Sequence, residues 1–370
     1  MQDLRVKKMA ELIVNYSISV KAGDKVVIRS LTPAEPLLNE IYAQVIAAGG
    51  YPFLALKFPE SNERFFELAS DEQLKRVPDV EQFVVENFDA VVMVRAENNT
   101  KALSNVAPRR LMLAQQGEAP LMQKVIQRAA AGTMKWVSVL FPTAAYAQDA
   151  NMSLHEYEDF VYRACLPDLD DPAGYWQGVE QKQARIVDWL NGKKQVHILG
   201  QDTDLHLSIA GRRFMNSCCK YNVPDGEIYT GPVENSANGV VSFSYPAIYN
   251  GNELVGVRLW FENGRVVRAE ADKNEQLLQA ALDTDTGARY LGEFAIGTNY
   301  NIDRFTGQIL FDEKIGGSFH LALGNSYPQT GGLNKSAIHW DLICDLRSGG
   351  SITVDDELLY QDGKFILSPC

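Results

Sequence analysis

The chain predicts an α/β N-terminal domain with an open, mainly parallel sheet, followed by an α+β C-terminal domain with an antiparallel, hairpin-rich sheet. Three observations carry that expectation. In the first half, short apolar runs alternate with longer amphipathic ones, and strands alternating with helices imply a parallel sheet with helices on its faces. In the second half, Asn250-Gly251, Asn263-Gly264 and Asp362-Gly363 each join two apolar runs, the dipeptides that favour tight hairpins. The pattern changes between Gly192 and Lys194, so residues 1–192 and 193–370 are expected to form separate domains. A chain of 370 residues with 46% hydrophobic content has enough length and apolar surface for two cores.

In order along the chain, Leu4, Met9, Leu12 and Ile13 recur near helical spacing over residues 3–16. Lys25–Arg29 reads as a strand after the Gly23-Asp24 turn. Thr32-Pro33-Ala34-Glu35 has the form of a capping box opening a helix to about Ala48, with Pro36 able to shift its start. Pro52–Leu56, Asp89–Val94 and Trp136–Phe141 are further strands. Ser70–Gln73 and Ser153–Glu156 are two more capping boxes. Pro108 opens a helical stretch that Pro120 restarts and Gly132 ends. A helix over 174–190 precedes the change of pattern. Beyond it, Val196–Leu199 and Asp204–Ile209 alternate like strands covered on one side, and a helix is expected from Glu275 to about Tyr290. No GxGxxG or GxxxxGK[ST] loop occurs, and Asn98-Asn99 is read as a turn.

A net charge of −12 argues against a nucleic-acid scaffold, which needs a basic face. The five cysteines lack zinc-finger spacing and read as reduced thiols, with Cys218-Cys219 expected in a strand. No apolar signal core or membrane-length stretch is visible, so no membrane role and a cytoplasmic location are expected.

The chemistry-bearing residues concentrate between Asn222 and Leu346. His339 and Asp341 lie at i and i+2 of an expected strand and so share one face, opposite Ile338, Trp340 and Leu342. His320 follows Gly316-Gly317. Glu227 follows Gly226, and Glu293 follows Gly292 after a helix-like run, both in apolar or aromatic company. A carboxylate buried there must be paired or bind metal, because burying it alone is costly. Mixed imidazoles and carboxylates suit zinc, cobalt or manganese better than calcium. Of the other histidines, His206 faces away from Leu205 and Leu207 and needs no special role. His197 reads as a satisfied strand residue, and His155 as solvated in a helical first turn.

Several segments together resemble one family, the metalloaminopeptidases of the aminopeptidase T and aminopeptidase S type. They are Asn222–Glu234, Ala237–Gly239, Leu291–Asn299, Gly316–Pro328 and His339–Ile343, with Met152–Phe160 and Asp202–Leu205 before them. The resemblance implies hydrolysis of the first peptide bond of peptides with a free N-terminus, through water activated by two metal ions. Zinc or cobalt are the expected ions, with manganese or magnesium as alternatives. By position, Glu227, Glu293, His320, His339 and Asp341 take the metal-ligand places, and Tyr327 matches a tyrosine near the substrate. Glu227 or Glu293 would carry the proton, with either able to bridge the ions. A homodimer is also implied, with the N-terminal domain walling off the substrate chamber. Two competing readings use the same residues. One is a mononuclear iron oxygenase built on His320, His339 and Asp341. The other is a non-catalytic peptide-binding protein with a degenerate site.

Overall fold

The computed structural model describes residues 3–249 and 251–366. It falls into two compact units, Met1–Ala173 with Cys219–Pro224, and Gly174–Cys218 with Asp225–Cys370. Asn250 and Cys370 lie outside the described residues, although the strands flanking Asn250, Ala247–Tyr249 and Asn252–Leu254, pair as an antiparallel hairpin.

The first unit is built on a five-stranded sheet in which every pairing is parallel. Its order is Tyr51–Lys57, Lys25–Leu31, Ala90–Arg95, Lys135–Leu140 and Asn222–Val223. Consecutive Val26, Val27 and Ile28 are all buried, so this inner strand is covered on both faces, as parallel sheets between helices require. The capping boxes at Ser70 and Ser153 form as their spacing predicts. The one at Thr32 does not. Thr32–Ala34 is a short 3-10 turn, and the helix Glu35–Ala47 starts without a side-chain cap. Pro36 then sits in the first turn, where no backbone N–H is needed. Pro120 does not restart a helix but lies inside the single helix Pro108–Ala130. Both Pro120 and Gln116, four residues before it, are exposed, so water can reach the carbonyl that the proline leaves without a donor.

The second unit packs two antiparallel sheets together. The larger runs in the order Arg265–Glu270, Arg258–Glu262, Asn238–Ser242, Thr203–Ser208, Gln195–Gly200, Ser351–Val354, Glu357–Gln361 and Lys364–Phe365. The smaller runs His339–Asp345, Ser318–Gly324, Leu291–Gly297, Glu227–Thr230 and Met215–Ser217. One continuous core joins Ile198, Leu205, Leu207 and Leu259 of the larger sheet to Ile228, Phe294, Phe319 and Leu342 of the smaller one. The helix Pro172–Leu190 sends Ile186 and Leu190 into the same core, so this unit begins at Gly174, ahead of the pattern change near Gly192.

Two local expectations are overturned here, those for the helix from Glu275 and for Cys218-Cys219. The helix from Glu275 stops at Leu282 rather than near Tyr290. Asp285 explains the stop: its Oδ1 accepts from the Gly287 and Ala288 amides and its Oδ2 from Ala337, which competes with the helical ladder. The run around Glu293 is a strand, Leu291–Gly297, stabilised on both edges by neighbours that local sequence does not reveal. Cys218-Cys219 is not in a strand, since Met215–Ser217 ends before it and Cys219 takes φ 59°.

Phe319 is fully buried on the core side of Ser318–Gly324. Phe319→Ala should cost about 3–5 kcal/mol of unfolding free energy, read as a lower urea midpoint.

Candidate metal centre

Strand register alone brings the five acidic and imidazole groups to one face of the smaller sheet. Side chains directly opposite in antiparallel pairs share a face, as do alternate residues of one strand. Glu227 stands opposite Gly297, two residues from Ala295, which is itself opposite His320. Glu293 stands opposite Ala322, and Ala322 opposite Asp341. His339 lies two residues before Asp341, opposite Gly324. The positions between the ligand candidates are therefore Ala295, Gly297, Ala322 and Gly324, small residues that leave room above the sheet. The opposite face carries Ile228, Phe294, Phe319, Leu321, Trp340 and Leu342, all in the core. A slip of one residue would exchange the two faces, so the core that sets the register also sets the site.

A break in that register between Leu291 and Glu293 helps aim Glu293 at the cluster. Gly292 lies at the break, and a Cβ there would come within 2.3 Å of the Asn325 carbonyl oxygen. Gly226, just before Glu227, takes φ +115°, a conformation suited to glycine. Around it the Asn299 amide donates to the Asp225 carbonyl, and the Thr298 N–H donates to the Gly226 carbonyl. From the helix Pro172–Leu190, the buried Gln183 amide donates to the carbonyls of Ser217 and Glu227.

The donor atoms converge. His320 Nε2 lies 3.4 Å from Glu293 Oε1, 3.6 Å from Glu227 Oε2 and 3.9 Å from Asp341 Oδ1. His339 Nε2 lies 3.4 Å from Glu293 Oε2 and 3.5 Å from Asp341 Oδ1. Two triads result, Glu227–Glu293–His320 and Glu293–His339–Asp341, with Glu293 common to both. Each imidazole has its other nitrogen committed. His320 Nδ1 donates to the Glu313 carbonyl at 2.9 Å, and His339 Nδ1 to the Asn325 carbonyl at 2.8 Å. A carbonyl can only accept, so Nδ1 carries the hydrogen in both rings and Nε2 faces the cluster, as metal-ligating histidines are usually held.

The electrostatics are those of a buried anionic nest. Burial pushes the Glu227 carboxyl up to about 8, against Lys314 and His320. Burial disfavours a charged His320, yet Glu293, Glu227 and Asp341 hold its imidazole up to about 9. His339 is raised in the same way by Asp341 and Glu293. Asp341 is held down to about 2, burial notwithstanding, by His339 and His320. The fully buried Lys314 lies 3.6 Å from Glu227 Oε1 and beside Glu313, and these anions keep its ammonium charged. Glu227 Oε2 and Asp341 Oδ1 are shut off from solvent without a hydrogen-bond partner among the described residues. Such atoms are costly unless something else meets them. Donor separations of 3.4–3.9 Å sit close to the roughly 3.3 Å between neighbouring ligands when metal–ligand bonds are about 2.0–2.1 Å. Three carboxylates, two correctly turned imidazoles and two unmet oxygens fit divalent transition-metal ions.

Tyr327 precedes the short turn Pro328–Thr330, and its ring packs 5.0 Å from the His339 ring and 5.6 Å from that of Tyr229. Desolvation by the protein around it and the Glu293 and Asp341 carboxylates push its phenol well up, although 41% of the residue is exposed, so it can act as a donor. Sequence reasoning missed Tyr229, Glu313 and Lys314. Tyr229 lies two residues past Glu227 on the same strand, so the period of two contained the signal. Asp312-Glu313-Lys314 reads as a solvated turn, and only the fold shows that it faces inward.

A family profile described as thermophilic metalloprotease (M29) matches residues 2–365. Among curated proteins, the chain is 27% identical to aminopeptidase 2 of Geobacillus stearothermophilus, over 96% of this chain and 94% of that protein. It is 25% identical to aminopeptidase T of Thermus thermophilus, over 97% and 95%. The solved structure of wild-type AmpT from Thermus thermophilus superposes with a TM-score of 0.86 at 22% identity, covering 98% of this chain and 99% of that one, which speaks for the shared fold. With a match running through both compact units, the chain belongs to the thermophilic metalloprotease family M29.

Proposed function

We propose that this metalloprotease is a metal-dependent aminopeptidase that removes N-terminal residues from peptides, with two divalent ions held by Glu227, Glu293, His320, His339 and Asp341. The observation that carries the reading is Glu293, whose two oxygens face different histidines at 3.4 Å each. That geometry suits a carboxylate bridging two ions, one shared with Glu227 and His320, the other with His339 and Asp341. The reading agrees with the relatives, which are named as aminopeptidases. A single-iron oxygenase would leave Glu227 and Glu293 without a role.

Divalent ions bound there would acidify a water molecule and polarise the scissile carbonyl. The chain's own groups do the rest. Nδ1–H bonds to backbone carbonyls fix both imidazoles. With Glu293 bridging, Glu227 would take a proton from the attacking water and pass it to the leaving amine. The Tyr327 phenol, kept protonated, would donate to the oxyanion that forms as the carbonyl is attacked. The carboxylate-rich cavity favours a cationic α-amino group. Zinc or cobalt, a homodimer and a cytoplasmic location complete the proposal. No helix among the described residues is long and apolar enough to cross a membrane.

The deciding experiment measures metal content together with hydrolysis of amino-acid anilides before and after chelation. About two ions per chain, with activity lost on stripping and restored by zinc or cobalt, is the expected result; full turnover by the stripped enzyme would refute the reading. Glu227→Ala, His320→Ala and Asp341→Ala should each abolish hydrolysis while leaving the circular dichroism spectrum unchanged. Glu293→Ala should lower metal content further than any of them. Tyr327→Phe should reduce turnover by roughly 10²–10³, the range for loss of one oxyanion donor, with metal content retained. Unchanged turnover would remove its role.

A further inference from the structure

A second cluster of ligand-type side chains lies in the other sheet of the same unit. His197 of Gln195–Gly200 and His206 of Thr203–Ser208 are directly opposite one another in an antiparallel pair. Their neighbours Val196, Ile198, Leu205 and Leu207 point into the core, so both imidazoles stand on the outer face. The rings stack with centroids 3.8 Å apart and planes 10° from parallel. Asp204, two residues before His206, shares that face, and one of its oxygens meets both rings, lying 2.8 Å from His197 Nε2 and 3.7 Å from His206 Nε2. Two nitrogens and a carboxylate oxygen therefore lie within 4.8 Å of one another.

We infer that His197, His206 and Asp204 form a mononuclear surface site for a borderline divalent transition-metal ion such as zinc, nickel or copper. Separations of 2.8 and 3.7 Å between the Asp204 oxygen and the two rings bracket the roughly 3.3 Å between ligands of an ion with bonds of about 2.0–2.1 Å, and turning the two rings out of their parallel stack brings both in-plane lone pairs onto one ion. Two imidazoles select these ions over magnesium and calcium, which prefer oxygen. The paired strands hold both rings side by side before the ion arrives, so little ordering is lost on binding. With only three protein ligands, the remaining positions are left to water. A bound ion would clamp two strands in the middle of the larger sheet. This site uses none of the five residues of the smaller sheet and does not depend on the role given to them.

The test uses the full chain, stripped with chelator and dialysed against increasing zinc, with bound metal counted by atomic spectrometry. The wild type should hold one more zinc per chain than His206→Ala or His197→Ala, and His320→Ala should keep that additional ion. Copper added to the His320→Ala protein should give a paramagnetic resonance signal split by two nitrogens, lost when His206→Ala is combined with it. Both exposed-face variants should keep the wild-type circular dichroism spectrum and anilide hydrolysis. If His206→Ala perturbs the fold, His206→Asn supplies the comparison. Equal zinc content in wild type and the His206 and His197 variants at every concentration would overturn the site and leave a hydrogen-bonded His–Asp–His cluster. Loss of the additional ion in His320→Ala would place it in the smaller sheet and equally overturn the assignment.

Discussion

Buried negative charge is the constraint on which the second unit depends. Glu227 and Glu293 are almost inaccessible to solvent, Asp341 nearly so, and Glu313 contacts the same buried lysine. Carboxylates gathered in a medium less polar than water are tolerated only where positive charge meets them. Lys314 and the two imidazoles supply part of that charge in the protein itself. Burial raises the Glu227 carboxyl, whereas the carboxylates gathered around His320 and His339 raise the two imidazoles against burial.

The fold meets this constraint by giving one sheet two unlike faces. The face of Phe294, Phe319 and Leu342 is packed against the larger sheet, and its burial holds the register. The other face is cleared by alanine and glycine at the positions between the ligand candidates. Precision then comes from neighbours that carry no reacting atom. The Glu313 and Asn325 carbonyls turn the rings, Gln183 ties the Glu227 backbone, and Gly292 admits the Asn325 carbonyl at close range. Groups so placed are pre-organised rather than gathered by the ligand.

The two histidine clusters of the unit show how surroundings decide chemistry. In the smaller sheet, imidazoles are buried among carboxylates and held by backbone carbonyls. In the larger sheet, His197 and His206 lie on an open face with one carboxylate between them. The first arrangement suits ions shielded from bulk solvent; the second suits a bound ion with water in its remaining positions.

Much of this was legible in the sequence wherever the cause is local. The capping boxes at Ser70 and Ser153, the hairpins at Asn263-Gly264 and Asp362-Gly363, and the shared face of His339 and Asp341 all follow from spacing and turn chemistry. The change from parallel to antiparallel sheet was visible in the same way, and the order of the motifs identified the family. Tertiary structure decided what depends on distant partners. The strand at Glu293 exists because Ser318–Gly324 and Glu227–Thr230 flank it, and the helix from Glu275 ends where Asp285 offers its amides another acceptor. Lys314 meets Glu227 of a strand distant in sequence only in the fold, and His197 meets His206 only through pairing. Sequence specifies which side chains share a face of an element; the packing of those elements decides which faces meet and which charges must be buried together.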